Sequence, residues 1–138
     1  GDGIITGGAL GVDYFATDEV LRLNPSAEKI KVYLPTTLKI YSAHYRKRAS
    51  ENVITKAQAE NLISQLKRLK MANKESLIEN KEARIVNQET YYQRNTEVIR
   101  ACDKLVAFQV NNSEGTQDAI NKAKEQKIPV TKFEYVID

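Results

Sequence analysis

Val106-Ala107-Phe108-Gln109-Val110, Asn111-Asn112-Ser113-Glu114-Gly115-Thr116 and Gln117-Asp118-Ala119-Ile120-Asn121-Lys122-Ala123-Lys124 follow one another without a break. They read as a buried strand, a short polar loop holding a glycine, and an amphipathic helix. Lys104 to Val110 is rich in apolar and β-branched residues and has no turn former, as a strand in a sheet core requires. Ala119, Ile120 and Ala123 fall at helical spacing with polar residues between them. Gly115 and Thr116 sit at the junction, where the first N–H groups of a helix have no internal partner and the macrodipole is positive. Such a junction is an anion site made of backbone donors. Ser113 or Thr116 acting as a plain helix cap accounts for the same residues without a ligand.

The chain start repeats the arrangement. Gly3-Ile4-Ile5-Thr6 is a short apolar run, Gly7-Gly8-Ala9-Leu10-Gly11 a small-residue loop, and Val12 to Leu23 a helical stretch. Val12, Phe15, Ala16, Val20 and Leu23 are its expected apolar stripe. Gly7 and Gly8 let a ligand approach the backbone closely. Asp13 falls in the first helical turn, where a carboxylate suits the dipole; it could equally reach toward a sugar hydroxyl or a base amine. Two such junctions on parallel strands belong on one carboxyl edge of a sheet. The chain has neither a GxGxxG fingerprint nor a Walker A motif, so no cofactor is called for.

Between the junctions, Lys29 to Leu34 alternates Ile30, Val32 and Leu34 with Lys29, Lys31 and Tyr33, as a strand does, and Pro35-Thr36-Thr37 ends it. Ala43 to Val53 is expected to be helical. Thr55 to Met71 is a second helix, with Ala59, Leu62, Ile63, Leu66 and Leu69 inward. Asn73 to Lys81 reads as a loop or short helix, Ala83 to Val86 as a brief strand, and Asn87 as the cap of a helix over Glu89 to Ala101. Ile128 to Ile137 is the last strand, with Pro129 at its start. Alternating strands and helices imply an α/β chain with an open, mostly parallel sheet and helices on both faces. Its loops at 7–13, 35–37 and 111–116 are then expected along one edge.

Charge is segregated. Lys39 to Lys74 carries nine Lys/Arg against Glu51 and Glu60, a net of +7; the remainder carries twelve against sixteen acids, a net of −4. Arg46, Lys47, Arg48, Lys67, Arg68 and Lys70, with Tyr41 and Tyr45 for stacking, would suit nucleic acid or polyphosphate; a solvated helical face explains them as well. His44 lacks a nucleophile or carboxylate partner, which favours packing over base chemistry. Cys102, the single cysteine, excludes an internal disulfide and fits a reducing, cytoplasmic setting; it is expected to be structural. No His/Cys spacing suits zinc, so no metal is expected. No apolar run approaches the roughly 18 residues of a membrane span. Pairing into a homodimer is compatible with a small α/β domain, though no feature compels it.

Gly7-Gly8-Ala9-Leu10-Gly11-Val12-Asp13, Arg94-Asn95, Asp103-Lys104-Leu105-Val106-Ala107-Phe108, Ser113-Glu114-Gly115-Thr116 and Ile128-Pro129-Val130 occur in one order. That series resembles the SLOG superfamily, which groups YpsA-like proteins, the DNA-processing protein A Rossmann domain and LOG-type nucleotide hydrolases. The YpsA-like pattern runs GGA-x-G-x-D, RN, D-x-hydrophobic-AF and S-x-GT. The resemblance implies one Rossmann-like, three-layer domain over 1–138, lacking its first β-α unit at the N-terminus, with a basic helical insertion at about 41–82. It implies a ligand site of Gly7, Gly8, Ala9, Asp13, Arg94, Asn95, Ser113, Gly115 and Thr116, in which Arg94 would fork onto phosphate and Asn95 would bond a ribose hydroxyl or the loop.

Three functions stay open: a nucleotide or nucleotide-derivative binding domain of the sensor or carrier type, a nucleotide N-glycosidic-bond hydrolase, and a single-stranded DNA binder. The LOG-type hydrolases carry PGGxGTxxE. Here Ala119 stands at the glutamate and Asn112-Ser113 at the paired glycines, so that activity does not carry over and no catalytic residue is assigned. Asp13 or Glu114 would be the carboxylate of a hydrolase; Asp118 is a further substitute.

Overall fold

Ile4–Thr6 (β1), Ile30–Tyr33 (β2) and Leu77–Ile78 (β3) pair in that order as a parallel sheet, with Ile4 opposite Ile30, Thr6 opposite Val32, and Val32 opposite Leu77. The computed structural model describes residues 2–138, which fall into two units, one ending at Val86 and the other Asn87–Asp138. The chain is α/β, with parallel strands alternating with helices, as the sequence implies. Its strands form two separately hydrogen-bonded sheets rather than the expected single one, the second being Leu105–Val110 (β4) with Val130–Tyr135 (β5).

In the first unit, Val12–Leu23 (α1) connects β1 to β2, while Leu38–Ser50 (α2) and Lys56–Ala72 (α3) connect β2 to β3. Ala59, Leu62, Ile63, Leu66 and Leu69 are each at most 2% exposed, so the helical period located the core face of α3. Burying each larger member contributes about 1.5–3 kcal/mol, enough to fix which face turns inward. Thr55 and Gln58 close a reciprocal capping box at the helix start, and Thr37 caps α2 by accepting from the Ile40 N–H. The region expected as an insertion is therefore largely the β2–β3 connection, and it contains a strand of the sheet. A short 3₁₀ turn at Lys74–Ser76 leads into β3. The strand expected at Ala83–Val86 does not form; Leu77 and Ile78 pair with Val32 and Tyr33 instead.

Helix α1 corrects a second expectation. Val12, Phe15 and Leu23 are 45%, 69% and 68% exposed, and the buried residue is Thr17. Asp13 bonds back to the glycine loop, which turns the Asp13/Thr17 side inward, since residues four apart share a helix face. The Thr17 hydroxyl meets that of Thr6 at 3.1 Å, satisfying two buried polar groups at once.

In the second unit, Gln88–Ala101 (α4) is capped by Asn87 through a capping box with Thr90, and Glu114–Glu125 (α5) packs on α4 and β4. Ala107 and Gln109 are buried on one side of β4, against a core that includes Ile99, Ile120 and Ala123. The opposite side is open. Val106, Val110, Phe133 and Tyr135 are exposed, and the Phe108 and Phe133 rings stack at 5.2 Å across the register. The strand read as sheet core is thus covered on one face only.

Candidate functional site

The loop after β1 is tightly built. Gly8 has φ +67°, and a Cβ there would lie 2.7 Å from Leu34 Cδ2 and 2.9 Å from Val32 Cγ1, so only glycine fits. The Tyr41 hydroxyl donates to the Gly8 carbonyl at 2.9 Å and lies 3.2 Å from the Tyr45 hydroxyl. Tyr41 and Tyr45 are buried and stack edge to face, which removes them from the stacking role expected at a nucleic-acid surface. The N–H groups of Gly7 and Ala9 both donate to one carboxylate oxygen of Asp13, at 3.1 and 3.3 Å. Asp13 therefore supplies from within the chain the negative charge that a phosphate would bring. The structure joins Gly7, Gly8, Ala9 and Asp13 into one cluster, with Asp13 as its internal anion. The 35–37 loop leaves the carboxyl end of neighbouring β2, where Thr36 is buried and Thr37 is the cap of α2.

The junction after β4 is built differently. Asn111 and Asn112 adopt φ of 48° and 55°, a conformation asparagine tolerates well. The Asn111 side chain exchanges two hydrogen bonds with the Ile137 backbone at 2.8 Å each. Ser113 is the N-cap of α5, yet its side chain makes no capping bond, and Gly115 has open space at its Cβ position. The plain-cap explanation for Ser113 is thereby corrected. Gln109 supports the turn by donating to the Ser113 carbonyl at 3.1 Å.

The Arg94-Asn95 pair converges on this second junction. Asn95, 9% exposed, donates from Nδ2 to the Gly115 carbonyl and to Asp118 Oδ2, each at 3.1 Å. Arg94 donates to Asn95 Oδ1 at 3.1 Å and lays its guanidinium over the Tyr91 ring. Lys122 completes the network by donating to Asp118 Oδ2 and to the Tyr92 carbonyl, both at 2.7 Å. Sequence reading missed Lys122 and gave Asp118 no structural part, although their four-residue separation on a helix is a readable ion-pair signal. An open cleft of about 420 Å³, lined by Gln88, Glu89, Tyr92, Gln93, Thr96 and Lys122, lies in the same unit. Arg94, Asn95 and Gly115 thus form one bonded chain, and Ser113 and Thr116 flank Gly115 at the helix start.

The carboxylates considered for catalysis are all engaged: Asp13 by the loop, Glu114 by Gln88 at 3.3 Å, and Asp118 by Asn95 and Lys122. Burial pushes the Cys102 thiol up from its ordinary value, and its Sγ faces the Ile99 carbonyl, which leaves it a poor nucleophile. Burial first, then the nearby Arg48 and Lys47, lowers the His44 pKa, favouring the neutral ring that packs on Tyr45. Among the described residues no group of His, Cys, Asp and Glu could hold a metal ion, and no helix is long and apolar enough to cross a membrane.

On the basic segment, Arg46 pairs with Glu60, Arg68 with Asp18 and Lys70 with Glu79. Lys47, Arg48 and Lys67 are exposed and have no ion-pair partner among the described residues. No family model, no curated protein and no solved structure matches the chain.

Proposed function

We propose that the chain is a nucleotide or nucleotide-derivative binding domain of the SLOG type, closest in pattern to the YpsA-like branch, acting as a sensor or carrier. The observation that carries this reading is the start of α5, where a helix has no side-chain cap and Asn95 holds its first turn through the Gly115 carbonyl. A phosphate group fits the free N–H groups and positive dipole end there, with Ser113 and Thr116 as hydroxyl donors and Arg94 as the cation. Parallel pairing in both sheets supports the Rossmann-like organisation that goes with it. Gly7, Gly8, Ala9 and Asp13 take a secondary part, because Asp13 holds the donors of that loop. Glycosidic cleavage is left out of the proposal, since each candidate carboxylate already has a partner.

The test is a thermal melt, followed by circular dichroism, against a panel of nucleotides and nucleotide sugars, for the wild type and the Arg94→Ala, Thr116→Ala double variant. A ligand present at 100 times its Kd adds about 2.7 kcal/mol, a rise of several degrees in Tm. The rise is expected in the wild type and is lost in the variant. A rise of equal size in both proteins, or none with any ligand, ends this reading.

A second reading, single-stranded DNA binding, is favoured by the exposed, unpaired Lys47, Arg48 and Lys67 beside Arg46, Arg68 and Lys70. It predicts affinity for an oligonucleotide that falls steeply with salt; binding that is absent or indifferent to salt removes it.

A further inference from the structure

The first unit holds a second concave feature, away from both glycine loops in sequence. It is a cavity of about 400 Å³ between the start of α2, the face of α3 and the segment after β3. Lys39, Arg46, Lys67 and Lys70 line it, against the single carboxylate of Glu79. Lys39 and Lys67 have no ion-pair partner among the described residues, whereas Arg46 is shared with Glu60. Ser42 also lines the cavity. It is 5% exposed, and its hydroxyl is buried with no hydrogen-bond partner. Buried hydroxyls are nearly always satisfied, so an orphan beside a cationic cavity points to a missing partner.

Glu79 shows how the place treats an anion. Its carboxylate accepts from the Leu38 N–H at 3.2 Å, in the first turn of α2, and from Lys70 Nζ at 2.7 Å. Burial raises its pKa, but Lys70 and the Leu38 N–H together outweigh burial and hold it below the ordinary carboxylate value. One negative charge is thus stabilised here already, and with Glu60 set against Arg46 a surplus of two positive charges remains around the cavity.

We infer that this cavity binds the phosphate or pyrophosphate group of a small molecule, with Lys39, Lys67 and Arg46 as its cations and Ser42 as a neutral hydroxyl donor. A multiply charged anion matches the surplus better than a single carboxylate does, and several oxygens can engage separate ammonium and guanidinium donors. A nucleic-acid strand would run across the exposed outer surface and has no use for a buried hydroxyl. The site belongs to the first unit and stands whether or not a nucleotide occupies the α5 junction.

The test is calorimetric titration of the full chain with inorganic pyrophosphate at low ionic strength, with inorganic phosphate and a thymidine oligonucleotide as comparison probes. Pyrophosphate is expected to bind more tightly than phosphate. The Lys39→Gln, Lys67→Gln double variant should lose roughly tenfold or more in affinity, and Ser42→Ala a few-fold. Ser42→Ala removes an unsatisfied group, so the fold should persist, as circular dichroism would verify. Arg94→Ala with Thr116→Ala should leave the titration unchanged. No pyrophosphate binding at millimolar concentration overturns the inference. So does binding that follows the Arg94 and Thr116 variant instead, or binding of the oligonucleotide without pyrophosphate.

Discussion

The two strand–loop–helix junctions use nearly the same residue types and reach opposite electrostatic ends. After β1, the loop donors close on Asp13, the Gly8 carbonyl is held by Tyr41, and the place of a Cβ is filled by Leu34 and Val32. After β4, the helix start has no side-chain cap, Gly115 faces open space, and Asn95 braces the turn from behind. A glycine loop at a helix N-terminus thus offers backbone donors; after β1 the chain's own Asp13 takes them. Both helices carry an acid in the first turn; Asp13 turns back onto the loop N–H groups, whereas Glu114 is held by Gln88.

Glycine-to-alanine substitutions separate the junctions most sharply. Gly8→Ala meets both a left-handed backbone and two side chains under 3 Å away, and should cost about 2–5 kcal/mol in urea unfolding. Gly115→Ala lies in a helix with nothing near its Cβ, and should stabilise by up to about 1 kcal/mol. Equal costs would erase the distinction. Next in size, Asp13→Ala should cost about 1–2 kcal/mol and make the remaining stability rise with sulfate, because the Ala9 N–H, at the positive end of α1, can then donate to an external anion. Sulfate titration of Tm in wild type and variant checks this, and parallel responses would show that Asp13 is not a surrogate anion. The smallest effect belongs to Ser113→Asp, which places a capping carboxylate at the N-cap of α5, next to Glu114 of its first turn. It should stabilise by about 0.5 kcal/mol while weakening nucleotide binding, so a nucleotide affinity left unchanged would move the ligand away from α5.

How far the sequence could be read depended on where the deciding contacts lie. The inward face of α3 and the cap at Asn87 were legible because period and capping are local. The orientation of α1 was not, because it turns on Asp13 reaching back to a loop and on a hydroxyl pair between Thr6 and Thr17. Leu77-Ile78 is too short to show alternation and becomes a strand only through its pairing with β2. At the candidate site, Arg94 and Asn95 could be named, but the bond from Asn95 to Gly115 spans 20 residues and was invisible locally. Tyr41 and Tyr45 looked like surface aromatics within a basic stretch, and only the path of α2 shows them buried beside the Gly8 carbonyl.

The uncovered side of the β4–β5 sheet has a practical consequence. Val106, Val110, Phe133 and Tyr135 give the native fold an apolar, partly aromatic surface of the kind that binds ANS and similar reporter dyes. Dye fluorescence, ordinarily a sign of lost tertiary packing, should therefore be high before any heating. With seven tyrosines and no tryptophan, the chain carries its own milder optical probe, and tyrosine near-ultraviolet dichroism will report loss of the folded state where a dye would be bright from the start.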